Sequence, residues 1–348
     1  MKVAIIGAGA IGAVHADAYR ELEANLVAVV EPVEEAALQF AQKYGVTPYR
    51  TLSELLASPD RPGAISICTP PFTHRELVEQ AIAAEVHILC EKPMAHTLED
   101  AGAIYAAAAN AKTLFATAYC HRFQPEIERM QALIAEGKVG AVRTFYNSFS
   151  GNQDDIEKRW FGRKKLSGGG VIIDTAIHSI DIFRYLCGEI AAASGTMTTW
   201  LGSTDLGVEH TATVGLRAEN GVIGTIDCSW KTPNDSAVVR ISGSEGTLNF
   251  DYSDAGKITF QPVGGTTKVI QVAGANRFVR ELAAFIEAAD SGREARTGAF
   301  DGLVGLAVVS AVYRNTSTIL FTPPARVSAG PSRGQLTDQR EDHFGSDA

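Results

Sequence analysis

The sequence predicts an α/β fold in two parts: an N-terminal domain with a parallel sheet, then an α+β domain with a large, open, mostly antiparallel sheet. Two observations predict this division. Short apolar runs alternate with helical patterns up to residue 120, as in βαβ units, whereas short β runs follow one another between turn signals from 191 to 272. The length of 348 residues also suits two domains. We therefore place the domains at 1–120 and 121–322, with a flexible tail at 323–348.

Apolar runs and helical patterns define the expected elements of the first domain. Strands are expected at 3–6, 26–30, 64–68, 88–90 and 114–118, and helices at 11–22, 34–44, 73–84 and 97–110. Thr97 and Asp100 form a capping-box pattern at the start of the last helix. Regular alternation of strand and helix predicts a parallel sheet.

Helices and short strands are mixed in the second domain. A helix at 126–136 is followed by an extended segment at 142–150, a loop at 151–166 rich in charge and glycine, and a helix at 171–187. Strands are expected at 194–201, 211–216, 221–229 and 237–242, and helices at 277–289 and 302–319. Successive strands of this kind predict antiparallel pairing.

Charge and cysteine content exclude several classes of partner. The net charge of -9 disfavours nucleic acid and anionic membranes. The chain has no apolar run long enough for a membrane span and no signal-peptide pattern, so we expect a cytoplasmic protein. The five cysteines and eight histidines show no metal-site spacing, so we expect reduced thiols and no metal.

A glycine-rich motif directly follows the first predicted strand. Gly7 permits a tight turn, Gly9 lets the backbone approach a pyrophosphate, and Gly12 lets helix and strand pack closely. The N-H groups of Ala10 and Ile11, at the start of the helix, can bind phosphate. A glycine-rich turn arising by chance is the alternative, but the position within a βαβ unit favours a dinucleotide-binding Rossmann domain.

Glu31 predicts NAD rather than NADP as the cofactor. It ends the second strand, 19 positions after Gly12, where a carboxylate can accept both ribose hydroxyls and would repel a 2'-phosphate. No Lys or Arg follows before Lys43. Alternatively, Glu31 only begins the next helix, a role that Glu34 and Glu35 fill equally well.

Four further motifs follow the glycine motif in order along the chain: Ala13-Val-His15-Ala, Cys68-Thr-Pro-Pro-Phe-Thr-His74, Cys90-Glu-Lys-Pro93 and Gly168-Gly-Gly-Val-Ile-Ile-Asp174-Thr-Ala-Ile-His178. Together, from residue 1 to about 320, the chain resembles the glucose-fructose oxidoreductase, inositol dehydrogenase and rhizopine-catabolism (Gfo/Idh/MocA) family. Ala176 departs from the family, which more often has glycine there, and Cys120-His-Arg122-Phe matches less well.

The resemblance implies an NAD-dependent oxidoreductase with Lys92, Asp174 and His178 as catalytic residues. It also implies an open sheet covered by a partner subunit in a homodimer or homotetramer, because a bare sheet face would expose a large apolar area. The residues that it places near the cofactor or substrate are Thr69, Pro70, His74, Glu91, Lys92, Arg122 and Trp160.

The residue types suit the transfer of a hydride and a proton. Lys92 follows a parallel strand, at the edge where such sheets bind ligands. Asp174 and His178 are four residues apart on one helix face, so a neutral His178 could take the alcohol proton while Asp174 holds a hydroxyl. The alternatives are a surface lysine and a helix-start carboxylate beside a packed histidine. For His121 the simpler interpretation is a solvent-facing imidazole.

The expected reaction is NAD-dependent hydride transfer at a secondary alcohol or ketone of a sugar, polyol or glycoside. An NAD-dependent glycoside hydrolase that oxidises its sugar transiently is the alternative, and a non-catalytic NAD-binding regulator is a third possibility. Charged residues of the loop at 151–166 either select the substrate or form a solvated surface; they are Asp154, Asp155, Lys158 and Arg159.

Overall fold

Six parallel strands form the first sheet, in the order β3-β2-β1-β4-β5-β6. The computed structural model describes residues 1–153, 156, 159–199, 207–274 and 276–314. The strands are β1 (Lys2–Ile6), β2 (Asn25–Val30), β3 (Thr47–Tyr49), β4 (Ala64–Ile67), β5 (His87–Glu91) and β6 (Phe115–Ala118). The order reverses between β1 and β4, the switch point at which doubly wound sheets bind dinucleotides, so the Rossmann prediction is confirmed. The sequence analysis misses β3, a three-residue edge strand that contains a proline.

The helices of this half connect successive strands. They are α1 (Ala10–Glu21), α2 (Glu34–Tyr44), α3 (Leu52–Leu56), α4 (His74–Ala83) and α5 (Leu98–Ala109). The hydroxyl of Thr97 accepts a hydrogen bond from the Asp100 backbone N-H at 3.1 Å, as the capping pattern predicts. The five-residue helix α3 is too short to show a periodic pattern in the sequence.

The second sheet has eight strands, in the order β14-β13-β12-β11-β7-β10-β9-β8. Only β7 and β10 pair in parallel; the other described neighbours are antiparallel, which confirms the predicted class of sheet. The strands are β7 (Val142–Asn152), β8 (Ile190–Thr198), β9 (Thr211–Ala218), β10 (Ile223–Ser229), β11 (Lys231–Gly243), β12 (Gly246–Asp251), β13 (Lys257–Pro262) and β14 (Lys268–Gln271).

The remaining helices are α6 (Pro125–Ala135), α7 (Lys164–Ser167), α8 (Ile177–Cys187), α9 (Arg277–Ser291) and α10 (Ala299–Arg314). The helix expected at 171–187 is instead a π-helical turn, Ile172–Ala176, followed by α8. No helix within the described ranges is long and apolar enough to cross a membrane. The tail at 323–348 and the end of the helix expected at 302–319 lie outside the described residues.

The last two helices return to the first sheet. Val279, Leu282 and Phe285 of α9 share a buried core with Val3 and Ile5 of β1. Helix α10 packs against α5 and β6 on one side and against α8 and β8 on the other. Because α9 and α10 return to the first sheet, the two parts of the chain are not packed separately. The domain boundaries at 1–120 and 121–322 stay a prediction.

The outward face of the second sheet is polar, which differs from the expected apolar face. Along β9, Ala212, Val214 and Leu216 are buried, whereas Thr213 and Arg217 on the opposite face are exposed. The outward side chains on the neighbouring strands are mainly hydroxyl-bearing or charged, and they include Thr144, Tyr146, Ser148, Thr225, Asp227 and Arg240. This face therefore does not expose the large apolar area from which the sequence analysis expected a covering partner subunit.

A buried ion network ties the two halves together. The Arg122 guanidinium, which follows β6, binds both carboxylate oxygens of Asp181 on α8. Asp301 on α10 accepts from Arg122 at 3.1 Å and from Arg184 at 3.0 Å. The side chains of Arg122 and Asp181 are only 10% and 2% exposed. Loss of one partner would leave an uncompensated buried charge.

We expect Asp181→Ala to destabilise the protein by about 3–5 kcal/mol, the usual effect of breaking a buried ion pair. Thermal and urea unfolding followed by circular dichroism would measure it. The control is Lys112→Ala, since that lysine is 88% exposed in its pair with Glu85 and should change stability by less than about 1 kcal/mol. Equal effects of the two substitutions would contradict a structural role for the network.

Candidate functional site

Lys92 and Asp174 meet between the two sheets. Lys92 follows β5, and its Nζ donates to the Asp174 backbone oxygen at 2.8 Å and to Oδ1 at 3.0 Å. Burial would lower the pKa of Lys92, but the Asp174 and Glu91 carboxylates raise it above its ordinary value. Lys92 is therefore a protonated hydrogen-bond donor at neutral pH, and it cannot act as a base there.

His178 lies beside this pair at the start of α8, and we call Lys92, Asp174 and His178 the interdomain cluster. Burial lowers the pKa of His178 well below its ordinary value, and the positive charges of Lys92 and Arg277 lower it further. Its Nδ1 has no hydrogen-bond partner among the described residues. The imidazole is therefore neutral at pH 7 and able to accept a proton.

His121 and Arg277 act on His178, and Tyr252 contacts His121. His121 is not solvent-facing: its ring centroid lies 4.6 Å from that of His178, and its Nδ1 lies 2.8 Å from the Tyr252 hydroxyl. Arg277, at the start of α9, acts electrostatically on both histidines. Tyr252 and Arg277 come from distant segments, so no local motif could have pointed to them.

Glu91 connects the glycine-motif helix to Lys92. Its Oε1 lies 3.0 Å from Nε2 of His15, which is fully buried on α1. Its Oε2 accepts a hydrogen bond from the Lys92 backbone N-H at 3.0 Å. The carboxylate thus orients the turn that carries Lys92, with His15 in the motif Ala13-Val-His15-Ala as its anchor.

The π-helical turn that carries Asp174 is held by Glu209, a residue that the sequence analysis misses. The Glu209 carboxylate accepts from the backbone N-H of Gly170 at 3.1 Å and of Ile172 at 2.9 Å. The Tyr313 hydroxyl donates to it at 2.8 Å. A buried carboxylate at this end of a helix satisfies N-H groups that would otherwise lack partners.

The glycine-rich loop fits a dinucleotide. Gly7 has a φ of 105°, and a Cβ on Gly12 would collide with the Gly7 carbonyl oxygen, so both positions require glycine. Nothing lies within 4 Å of a Cβ placed on Gly9, which leaves the front of the loop open. Ala10 and Ile11 begin α1, whose first turn has no side-chain cap and no acidic residue, so its N-H groups are available to phosphate.

Glu31 and Arg50 line one pocket of about 330 Å³ at the end of β2. The Glu31 carboxylate accepts from the backbone N-H of Ala8 and of Val33, each at 3.0 Å. The sequence analysis considers only residues that closely follow Glu31 along the chain, and it therefore misses Arg50. Arg50 comes next to Glu31 because it follows β3, which pairs with β2 through Tyr49 and Val30. A cation therefore lies close to the carboxylate that is expected to exclude a 2'-phosphate.

Thr69 and Pro70 lie next to the glycine loop at the end of β4, and the methyl group of Thr69 lies close to Gly7. His74 is fully buried, with Nε2 2.8 Å from the Thr69 oxygen and Nδ1 3.3 Å from the Met94 oxygen. His74 therefore supports the Thr69 turn and cannot reach a cofactor itself.

Arg122 and Trp160 are the two remaining residues predicted to lie near the cofactor or substrate. Arg122 donates to its partners in the ion network and to the Arg296 carbonyl, so its guanidinium stabilises the fold, and its contact with a cofactor stays a prediction. Trp160 stacks on Phe161 with ring centroids 3.8 Å apart, and Phe161 lines a cavity beside Asp174. Arg159 lines the same cavity. Asp154, Asp155 and Lys158 lie outside the described residues.

Two histidines and a cysteine come together in space although their spacing along the chain shows no metal-site pattern. Metal-binding atoms of Cys120, His121 and His178 lie within 4.8 Å of one another, a proximity that their sequence spacing hides. The charges of Lys92 and Arg277 disfavour a cation here, since they already oppose protonation of both histidines. Burial raises the pKa of Cys120 to about 12, so its thiol keeps its proton at neutral pH. The absence of a metal stays a prediction.

A Rossmann sheet, a second open sheet and a lysine-carboxylate-imidazole cluster between them are the features of a dinucleotide-dependent oxidoreductase. Residues 1–119 match the model of an oxidoreductase family with an NAD-binding Rossmann fold, and residues 127–249 match the GFO/IDH/MocA C-terminal domain. The chain therefore belongs to the Gfo/Idh/MocA family of oxidoreductases, and the resemblance stated from its motifs is confirmed.

Relatives and a solved structure agree with this assignment. Levoglucosan dehydrogenase of Pseudarthrobacter phenanthrenivorans is 26% identical over 291 residues, 72% of this chain and 74% of that protein. Inositol 2-dehydrogenase of Rhizobium meliloti is 28% identical over 332 residues, 91% of this chain and 97% of that protein. D-xylose 1-dehydrogenase (NADP(+)) 2 of Haloferax volcanii is 25% identical over 327 residues, 91% of this chain and 98% of that protein.

A levoglucosan dehydrogenase structure in complex with NADH aligns with a TM-score of 0.85 at 22% identity, covering 90% of this chain and 96% of that one. At this level of identity the alignment establishes the shared fold.

We expect Arg277→Met to move the acid limb of the kcat/KM profile to higher pH. A positive charge disfavours protonated His178, so the wild type should stay active well below pH 6.5, and removal of the charge should raise the pKa of His178. The profile from pH 4 to 8 measures the shift. The control is Arg293→Met, an exposed arginine beyond the end of α9, which should leave the limb unchanged. Identical profiles for Arg277→Met and the wild type would contradict this electrostatic account.

Proposed function

We propose that the protein is an NAD-dependent dehydrogenase that oxidises a secondary alcohol of a sugar, polyol or glycoside, or reduces the corresponding ketone. The observation that carries this proposal is the pairing of a charged Lys92 donor with a neutral His178 acceptor next to Asp174. The relatives are dehydrogenases of levoglucosan, inositol and D-xylose, and this supports a polyhydroxylated substrate.

Each residue of the interdomain cluster has a separate role in the proposed reaction. Lys92 donates a hydrogen bond to the reacting oxygen and stabilises the negative charge that develops there. His178 accepts the hydroxyl proton, since its imidazole is neutral at pH 7. Asp174 orients Lys92 and accepts a hydrogen bond from a neighbouring substrate hydroxyl. NAD, when bound, supplies the hydride acceptor at C4 of its nicotinamide.

Two alternative functions share the same fold. A glycoside hydrolase that oxidises its sugar transiently would cleave a bond without net NADH, and a regulator would bind NAD without turnover. The two pKa shifts argue against a regulator, because a sensor needs no matched proton donor and acceptor. Net formation of NADH would identify the dehydrogenase, whereas cleavage of the glycosidic bond without net NADH would identify the hydrolase.

We expect at least about tenfold higher kcat/KM with NAD than with NADP, because the Glu31 carboxylate repels a 2'-phosphate. Glu31→Ser should narrow the difference, since Arg50 then lies unopposed in the same pocket. Glu31→Gln is the isosteric control, since it removes the charge while its one amide oxygen keeps one of the two hydrogen bonds from the backbone N-H groups of Ala8 and Val33. Steady-state kinetics with both cofactors measure these ratios. Equal efficiency of the wild type with NADP would overturn the assignment.

We expect Lys92→Ala and His178→Ala each to lower the rate of hydride transfer by about 10² to 10⁴ while leaving NAD affinity unchanged. Neither residue belongs to the glycine loop or to the Glu31 pocket. Asp174→Asn should raise KM more than it lowers kcat, because Lys92 keeps its bond to the backbone oxygen of residue 174.

Single-turnover rates beside fluorescence titration of NAD separate these outcomes. Near-normal transfer by His178→Ala across neutral pH would show that the proton leaves by another route.

We also propose a homodimer or homotetramer that uses the outward face of the second sheet. The alternating hydroxyl and charged side chains of this face suit a hydrogen-bonded, wet interface. Light scattering at micromolar concentration should give two or four times the chain mass of 37.0 kDa. Thr225→Arg, near the centre of the face, should lower that mass. A wild-type mass of a single chain would refute the proposal.

A further inference from the structure

Helix α9 carries a carboxyl group that the fold buries without a protein partner. Glu281 is only 1% exposed, and neither of its side-chain oxygens has a hydrogen-bond partner among the described residues. Burial of a carboxyl group in this way lowers the stability of the fold, so such a group marks a position with a role beyond packing. The reaction proposed above gives Glu281 no role.

The surroundings of Glu281 favour its neutral form. Burial raises its pKa well above the ordinary value, and the Glu91 carboxylate raises it further, whereas the Arg277 guanidinium opposes the shift. Asp181 on α8 also raises it. Three other titratable neighbours are uncharged, because burial raises the pKa of each; they are Tyr19, Cys68 and Cys120. Glu281 is therefore a carboxylic acid at neutral pH, able to donate one hydrogen bond and to accept another.

Buried polar atoms without partners also lie between His178 and this acid. They are Nδ1 of His178 and Nε of Arg277, and neither has a hydrogen-bond partner among the described residues. The Cys120 sulfur lies within 4.8 Å of a ring nitrogen of His178. The same thiol interacts with the Arg277 side chain and with the charge of Glu281. Ordered water is the common partner of buried polar atoms at such spacings, and it can join them into one hydrogen-bonded row.

A small cavity of about 10 Å³ adjoins Glu281. Its lining contains the buried Glu281 and Thr297, the half-buried Ala284 and the exposed Arg296, so it leads from the core towards the surface. This volume is close to the smallest that holds a water molecule. Glu281 therefore borders both the polar row behind His178 and a water-sized opening towards solvent.

We propose that Glu281 is a proton-relay residue, through which the proton of the substrate alcohol passes from His178 to solvent beside Arg296. This inference rests on the proposed dehydrogenase function for the role of His178. As the hydride moves from the alcohol carbon to C4 of the nicotinamide, the hydroxyl proton binds Nε2 of His178, and the proton on Nδ1 passes to water. Glu281 takes up a proton on one carboxyl oxygen and releases its own from the other into the cavity, so its charge does not change.

The test separates hydride transfer from proton release. Wild type and Glu281→Gln would be mixed with NAD and levoglucosan, myo-inositol or D-xylose in a stopped-flow instrument, with NADH absorbance and a pH-indicator dye followed together. In the wild type both signals should rise at the same rate. A carboxamide cannot pass on a proton, so proton release and kcat of Glu281→Gln should fall at least about tenfold, whereas the first hydride transfer should fall less than about threefold.

Two further variants control for charge and for folding. Glu287→Gln removes a carboxylate from the same helix that is 69% exposed, and it should change neither signal. Ala284→Leu fills the cavity while Glu281 is intact, and it should delay proton release. This second variant covers the case in which Glu281→Gln misfolds.

Infrared spectroscopy tests the acid without the reaction. The C=O stretch of a protonated carboxylic acid should appear at neutral pH in the difference spectrum of wild type minus Glu281→Gln, and it should shift when the wild type is moved into deuterium oxide. Unchanged proton release in Glu281→Gln, an equal loss of both stopped-flow signals, or the absence of this band would overturn the relay. An exchanging band without NADH from any of the three probes would uphold the solvent-linked acid and refute the proposed dehydrogenase.

Discussion

The Lys92 ammonium donates at once to the side chain and to the backbone oxygen of Asp174, and these two bonds join the edge of the first sheet to the second half of the chain. Lys92 and Asp174 are each positioned by a carboxylate from their own part of the chain. Glu91, anchored by His15, fixes the turn of Lys92, and Glu209 holds the helical turn that carries Asp174. The geometry of the site therefore depends on the packing of both sheets together.

The charges around the site set the protonation states of both the donor, Lys92, and the acceptor, His178. The Asp174 and Glu91 carboxylates keep Lys92 protonated, and the resulting positive charge helps to keep the buried His178 neutral. A protonated lysine and a neutral imidazole are the forms needed to polarise an alcohol oxygen and to receive its proton. The same positive charge disfavours a metal ion at the neighbouring histidines, which is consistent with a reaction that uses only the dinucleotide and these side chains.

The elements of the fold can be predicted largely from local patterns, because strand and helix periods and turn residues are properties of neighbouring positions. The edge strand β3 and the π-helical turn escape such patterns. Lys92 and Asp174 lie 82 residues apart, so only the family resemblance could associate them. Arg50 shares a pocket with Glu31 because β3 pairs with β2, and Arg277 acts electrostatically on His178 from the start of α9. Spacing along the chain reveals neither relation. Asp181 and Asp301, the buried partners of Arg122, are also far from it in sequence, so spacing does not reveal its place in the ion network.

Transfer of deuterium tests the central claim most directly. The wild type would be incubated with NAD and a sugar or glycoside deuterated at its carbinol carbons, and the dinucleotide product would be weighed by mass spectrometry, with Lys92→Ala alongside. The account predicts NADH that carries one deuterium, formed in net amount by the wild type and at least about a hundredfold more slowly by Lys92→Ala. Cleavage of the glycoside without net deuterated NADH, or equal rates for the two proteins, would contradict it.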